Sequence, residues 1–214
     1  MGPRNLTIAI LLLSSLAIFA TNLARADYYL AGTGNYSIFN STETDRYKIG
    51  SAGKGFGVHF GTRGGALGLE GFYKQLRTEG KMIHDSTDYT LHTDTRTYGA
   101  AFTAYISSFH IKLGYATHMF DQSVVDTSGA TVQSPTITRI YGLHSGITTS
   151  GLMFGAGADL EYATLGFFID YNRYQMTSID ASFQVIEAGI RWYPGFLNPT
   201  LDPTRAAAST GPRR

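Results

Sequence analysis

The sequence predicts an all-β chain: a closed antiparallel up-and-down transmembrane β-barrel of eight strands, with ten as the alternative. Three observations predict it. An export address opens the chain. A long succession of runs follows in which hydrophobicity alternates residue by residue. Short turns alternate with longer polar stretches between those runs.

Residues 1–26 read as a secretory signal peptide. Arg4 supplies the positive start, and Leu6 to Ala20 form an apolar run containing Leu11, Leu12, Leu13, Leu16, Ile18 and Phe19. Ala24-Arg25-Ala26 has the small-x-small pattern of a cleavage site, so the mature chain is expected to begin at Asp27. The run is too short and too early to read as a spanning helix.

The strands follow from period two. The first, about Tyr28 to Phe39, is irregular but aromatic at both ends. In the second, Lys54 to Thr62, Phe56, Val58 and Phe60 share a face opposite Gly57, His59 and Gly61, and Arg63-Gly64-Gly65 makes a tight turn. The third, about Ala66 to Thr78, sets Leu67, Leu69 and Tyr73 against Glu70 and Lys74. A polar stretch from about Glu79 to Asp94 is expected to be a loop. Next, Tyr98, Ala100, Phe102, Ala104 and Ile106 oppose Thr97, Gly99, Ala101 and Thr103. Ser107-Ser108 turns the chain. Phe109, Ile111, Leu113 and Tyr115 then face away from His110, Lys112, Gly114 and Ala116, and a second polar loop is expected over Asp121 to Ser134.

Three further strands complete the series. Leu152, Phe154, Ala156, Ala158 and Leu160 oppose Gly155, Gly157, Asp159 and Glu161. After Ala163-Thr164, Leu165, Phe167, Ile169 and Tyr171 oppose Gly166, Asp170 and Asn172. Ile186, Ala188, Ile190 and Trp192 oppose Glu187, Gly189 and Arg191. The segment Thr136–Thr148 would make a ninth strand, but a closed antiparallel barrel of bacterial type has an even number. Its alternation is the weakest, with Arg139 on the face of Ile137, Tyr141 and Leu143, so most of it is assigned to an outside loop or hairpin. The ten-strand alternative places a further strand around Arg46–Ile49.

Composition narrows the class. A net charge of +1 provides no basic field for nucleic acid. The absence of Cys excludes a disulfide scaffold and a lipid-modified Cys at the cleavage site. The 25 Gly suit tightly curved strands, and the 14 Tyr and 13 Phe suit membrane interfaces. Tyr28, Tyr29, Tyr73, Tyr98, Tyr115, Tyr162, Tyr171, Trp192 and Tyr193 are expected to form aromatic girdles at the margins of the apolar faces.

The C-terminal strands carry a resemblance. The segments Phe154-Gly-Ala-Gly-Ala-Asp-Leu-Glu-Tyr162, Leu165-Gly-Phe-Phe-Ile-Asp-Tyr-Asn-Arg-Tyr174 and Gly189-Ile-Arg-Trp-Tyr193 resemble the last three strands of small outer-membrane β-barrel proteins. That family includes the transmembrane domain of outer membrane protein A and its single-domain relatives. The resemblance is strongest over residues 152–193. It implies a place in the bacterial outer membrane, contact with outer-membrane lipid and lipopolysaccharide, insertion by the barrel assembly machinery, and a monomeric state. Such chains often stop at a terminal aromatic. Here Pro194-Gly195-Phe196 interrupts, and a Pro-, Ala-, Thr- and Arg-rich tail over 197–214 is expected to be disordered. The domain reading is therefore a signal peptide over 1–26, a barrel over 27–196 and a tail over 197–214.

With apolar faces toward lipid, the opposite faces fill the lumen. They carry a candidate charge network of Glu70, Lys74, Lys112, Asp159, Glu161, Asp170, Glu187 and Arg191, with His59, His110 and His118 beside it. An eight-stranded lumen is only wide enough for side chains, so buried charges there must pair. Glu70 or Glu187 with Lys74, Lys112 or Arg191 is the expected pairing, in a plug rather than a gated pore. The competing reading is an exported soluble barrel with an apolar ligand inside, in which every residue's role is inverted. Small Gly and Ala opposite charges favour the membrane version. No catalysis, cofactor or metal is expected. His84-Asp85-Ser86 lies in a polar stretch, and His84, Asp85, Asp88, His92 and Asp94 follow no known ligand spacing.

Overall fold

The computed structural model describes residues 27–39, 52–84, 87–126, 129, 131, 146–162, 164–177 and 181–194. The expected signal peptide, the tail over 197–214, Arg46–Ile49 and most of Thr136–Thr148 lie outside these residues. Eight strands are present: β1 (Asp27–Phe39), β2 (Ala52–Gly64), β3 (Leu67–His84), β4 (Thr87–Ile106), β5 (Phe109–Asp126), β6 (Ile147–Tyr162), β7 (Leu165–Met176) and β8 (Ala181–Trp192). Each pairs antiparallel with the next. β1 also pairs with β8, from Leu30↔Trp192 to Phe39↔Phe183, and closes the barrel. That closure leaves no edge for a ninth or tenth strand in the wall, so the ten-strand alternative is set aside.

Period two decides what faces where. Along β7, Leu165, Phe167, Ile169 and Tyr171 are exposed while Phe168, Asp170, Asn172 and Tyr174 are buried. The same rule holds round the barrel. Phe102 is 55% exposed, Leu113 54% and Phe154 48%, whereas Glu187 is 1% exposed and Arg191 0%. Apolar side chains thus cover the outside and charged ones fill the inside. This is the reverse of the soluble alternative.

At the end holding both chain termini of the barrel, turns are tight. Gly65 adopts φ 61° between β2 and β3, and Ser107 adopts φ 60° between β4 and β5. Backbone bonds tie each turn to a neighbouring strand: Tyr105 N–H to Ala66 O (2.8 Å), Asp159 N–H to Ser108 O (2.7 Å) and Tyr193 N–H to Thr164 O (2.8 Å).

The opposite end departs from expectation. β3 runs to His84, β4 starts at Thr87, and β5 continues to Asp126, so the first stretch read as a polar loop is largely strand and the second begins as strand over 121–126. Backbone pairing, such as Lys81↔Thr90 and His92↔Ser123, needs no apolar face. β-branched residues (Thr87, Thr90, Thr93 and Thr95) favour the extended chain there. β3 continues six residues beyond Thr78, where its pairing with β2 ends. At about 3.4 Å per residue it reaches about 20 Å farther.

Two aromatic assignments also change. Tyr29 and Tyr193 are buried, with rings 5.8 Å apart, rather than part of an outer girdle. Both have inner-face parity, and the hydroxyl of each donates to a carboxylate, Glu70 in the lumen and Glu161 at its rim.

Candidate functional site

The lumen is filled in two zones. Toward the short-turn end lies a continuous chain of charged groups, built one or two residues at a time from six strands. Arg191 (β8) bonds Asp159 (β6). Asp159 Oδ2 lies 2.7 Å from His110 Nδ1 (β5), and His110 Nε2 lies 2.7 Å from Asp170 Oδ1 (β7). Lys112 Nζ (β5) is 2.6 Å from Asp170 Oδ2 and donates to Glu70 Oε1 (β3) at 2.9 Å. His59 (β2) spans the next gap, with Nδ1 3.1 Å from Glu70 and Nε2 3.4 Å from Glu187 (β8), close enough for ion pairing but off the line of a hydrogen bond. Glu187 meets Lys74 (β3) at 2.9 and 3.0 Å, and Lys74 donates to the Tyr174 hydroxyl at 2.7 Å.

Cation and anion alternate along this path wherever the histidines carry a proton on each nitrogen. His110 has a carboxylate oxygen within hydrogen-bond distance of both ring nitrogens. Two such contacts need either two ring protons or a proton on a facing carboxyl. Buried charges in a water-poor interior survive only when paired and hydrogen-bonded. Neutral groups add two further bonds: the Tyr29 hydroxyl donates to Glu70 Oε2 at 2.6 Å, and Asn172 Nδ2 donates to Glu187 Oε1 at 2.6 Å. The Arg191 guanidinium also stacks 4.2 Å from the Phe168 ring centre.

Backbone makes the room. A Cβ on Gly157 would lie 2.6 Å from His110 Nε2 and would collide with Asp170 Oδ1, so a side chain there would break the His110–Asp170 contact.

The structure thus brings seven of the eight candidate residues into one chain: Glu70, Lys74, Lys112, Asp159, Asp170, Glu187 and Arg191. Glu161 joins it only through Arg63, whose Nη1 also lies 3.8 Å from Asp159 Oδ2. Glu161 sits exposed at the short-turn mouth, where it pairs with Arg63 and accepts a 2.6 Å bond from the Tyr193 hydroxyl. It is the last inner position of β6 and lies at the rim. Sequence reasoning placed His59 and His110 on the inner face without assigning them as bridges. It placed Asn172 on the inner face without a partner and missed Arg63, Tyr29 and Tyr174. Their inner-face parity was the available signal.

The second zone was also missed. Toward the long-loop end the lumen holds a packed apolar layer: Phe39, Phe72, Leu76, Phe120, Met153, Tyr174, Met176, Phe183 and Val185, all buried. Phe183 stacks on Tyr174 (4.9 Å) and on Phe39 (5.1 Å), and His118 meets Phe183 edge-on at 5.1 Å. His118 Nδ1 is satisfied by Thr97 Oγ1 at 2.9 Å.

Among the described residues no group of three or more His, Cys, Asp or Glu is arranged to hold a metal ion. The side chain of His84 and residues 85 and 86 lie outside the description.

No protein-family model and no curated protein sequence matches the chain. Solved structures similar to it include Ail, the attachment invasion locus protein of Yersinia pestis, in complex with the heparin analogue sucrose octasulfate (10% identity, TM-score 0.47, 78% of this chain and 96% of that chain). Neisserial surface protein A is similar at 14% identity and TM-score 0.38, over 78% of this chain and 97% of that one. The N-terminal β-barrel domain of Pseudomonas aeruginosa OprF is similar at 9% identity and TM-score 0.39, over 78% and 99%. The architecture stands on this chain's own strand register.

Proposed function

We propose that this chain is an integral outer-membrane β-barrel with a closed lumen, acting through the surface it presents beyond the membrane. One observation carries the membrane reading: exposed apolar side chains surround a barrel whose interior is charged. Phe56, Phe102, Leu113, Phe154, Phe167 and Ile190 lie outside, on six different strands. Water does not tolerate so continuous an apolar exterior, and lipid does not tolerate an open sheet edge. Exposed Tyr28, Tyr162 and Trp192 near one end and Tyr36, Tyr98, Tyr115 and Tyr171 toward the other suit the two interfaces of a bilayer.

The two lumen zones support a plug. The charge chain is held by ion pairs between different strands, and packed apolar side chains fill much of the lumen above it. The elongated β3–β4–β5 sheet supports a surface-interaction role, since it projects polar side chains past the apolar exterior. The long-loop end is then extracellular and the short-turn end periplasmic. No catalytic role is assigned, and a monomer is sufficient for a closed barrel.

Envelope fractionation joined to heat-modifiable migration in detergent electrophoresis tests the placement. The protein should pellet with outer membrane and migrate differently before and after boiling. Planar-bilayer recording tests the plug: little or no conductance is expected, and a steady porin-like conductance would overturn it.

A further inference from the structure

The lumen charges fall into two groups, and one side chain joins them. At the short-turn mouth Arg63 and Arg191 meet Asp159 and Glu161. Deeper in, Lys74 and Lys112 meet Glu70, Asp170 and Glu187. The His110 imidazole stands between them, 2.7 Å from Asp159 Oδ2 of the mouth group and 2.7 Å from Asp170 Oδ1 of the inner group. Among the described residues no other side chain hydrogen-bonds to a carboxylate of each group.

The charge count makes this position consequential. In the mouth group two guanidinium groups match two carboxylates. In the inner group two ammonium groups face three carboxylates, so one positive charge is wanting. Two imidazoles compete to supply it. His59 lies 3.1 Å from Glu70 and 3.4 Å from Glu187, but both of its nitrogens are off the line of a hydrogen bond. His110 has a carboxylate oxygen at bonding distance from each nitrogen. A neutral ring would set its lone pair against one of these anions, whereas an imidazolium donates to both.

The surroundings leave that charge to His110. Asp159 gives its other oxygen to Arg191 of β8, and Arg63 of β2 lies 3.8 Å from Oδ2. Asp170 gives its other oxygen to Lys112 of β5, at 2.6 Å. Neither cation spans the gap. From β4 the ring meets Tyr105, its cross-strand partner, with ring centres 5.6 Å apart. Glu70 of β3 reaches it only through Lys112, and Tyr29 of β1 only through Glu70.

We propose that His110 is a proton-operated clasp: as an imidazolium it ties the mouth group to the inner group, and loss of its proton parts the network between Asp159 and Asp170. The folded barrel then holds a proton that the unfolded chain releases above about pH 6.5. The clasp contributes fully below that pH and is lost as pH rises until the ring is bare. The inference concerns the lumen and does not rest on the membrane placement.

The test uses the full mature chain folded in detergent micelles, with histidine ring nitrogens isotopically labelled. Heat-modifiable migration checks the folding of each variant, and His110→Gln identifies the His110 resonances. At about pH 7.5, where an exposed imidazole is mostly neutral, both His110 nitrogens should carry protons. A bare ring nitrogen on His110 would overturn the clasp, and so would an imidazolium signature on His59 alone. Urea unfolding is then followed from about pH 7 to about pH 9. Relative to His110→Gln, the parent's folding constant should fall about tenfold per pH unit while the proton is held. Asp170→Asn keeps the ring but removes the unmatched carboxylate, so its slope should match that of His110→Gln. Parallel slopes in the parent and both variants would overturn the clasp and leave His110 a packing role. If His110→Gln does not fold, Asp170→Asn supplies both the resonance assignment and the comparison slope.

Discussion

Lys74 and Glu187 meet across the lumen although 113 residues separate them, with Nζ 3.0 Å from Oε1 and 2.9 Å from Oε2. Both are buried, so each depends on the other for compensation. Removing Glu187 leaves the Lys74 ammonium without its carboxylate, and removing Lys74 leaves Glu187 with only His59 and Asn172. Lys74→Met or Glu187→Met alone should cost about 3–5 kcal/mol, while Lys74→Met with Glu187→Met should recover much of that loss. Urea unfolding of the lipid-inserted protein measures the cycle. Additive losses would mean that the two charges do not act as a pair.

Phe102, Leu113 and Phe154 form one outward row across β4, β5 and β6. In a bilayer they are the most sensitive to charge. Phe102→Arg or Leu113→Arg should destabilise insertion by about 2–4 kcal/mol if the row sits near the midplane. Spin labels at Leu69, Phe102, Leu113, Phe167 and Ile190 check the facing independently. Labels reporting water at all five would remove the basis for a lipid-facing exterior.

Ser107 holds φ 60° as the first residue of a two-residue hairpin turn between Ile106 and Phe109. Hairpins of this length with a left-handed first position favour Gly. Relief of the side-chain clash competes with the larger backbone entropy of Gly in the unfolded chain. Ser107→Gly should raise stability by about 0.5–1 kcal/mol, and Ser107→Val should lower it by at least as much. Unfolding midpoints of the two variants against the parent decide the matter.

Asp94 and Arg77 offer a pH test beyond the apolar exterior. The bidentate Arg77 hydrogen bonds are the main cause holding the Asp94 carboxyl below its usual range. The folded value is thus lower than the unfolded one. The pair's contribution is complete above the ordinary carboxyl range near about 4 and is lost as pH falls through the lowered folded value. Arg77 is largely exposed, so the effect is confined to about 0.2–1 kcal/mol. Amide protection in β3 and β4 beyond Thr78, corrected for the intrinsic pH dependence of exchange, should fall in acid in the parent and stay nearly constant in Asp94→Asn over that window. A carboxyl NMR titration of Asp94 at or above the ordinary range would contradict the geometry.

The extended tip of the β3–β4 hairpin was hidden in the sequence for a physical reason. Hydrophobic alternation reports a strand only where its two faces meet different surroundings. Beyond Thr78 polar residues occupy both faces, so Glu79, Lys81, Thr90 and His92 read as loop although their backbones pair. Tyr29 and Tyr193 were misread for a related reason. An aromatic at a strand end suits an interface and a lumen equally, and only the partner of its hydroxyl, Glu70 or Glu161, separates the two.

Parity along the chain determined the rest of the facing. A residue two steps from Phe167 shares its face, so the outward placement of Ile169 and the inward placement of Asp170 follow from spacing alone. Spacing also puts Glu70, Lys74, Lys112 and Glu187 on inner faces. It does not say which of them touch. That depends on closure of β1 onto β8 and on the register of eight hydrogen-bonded ladders, which set the height of each residue in the lumen. His110 reaches Asp159 and Asp170, and Lys54 comes to lie opposite Arg77, because of register between strands. Period two is a local property of a chain segment. Register is a property of pairs of segments, and only the assembled barrel decides it.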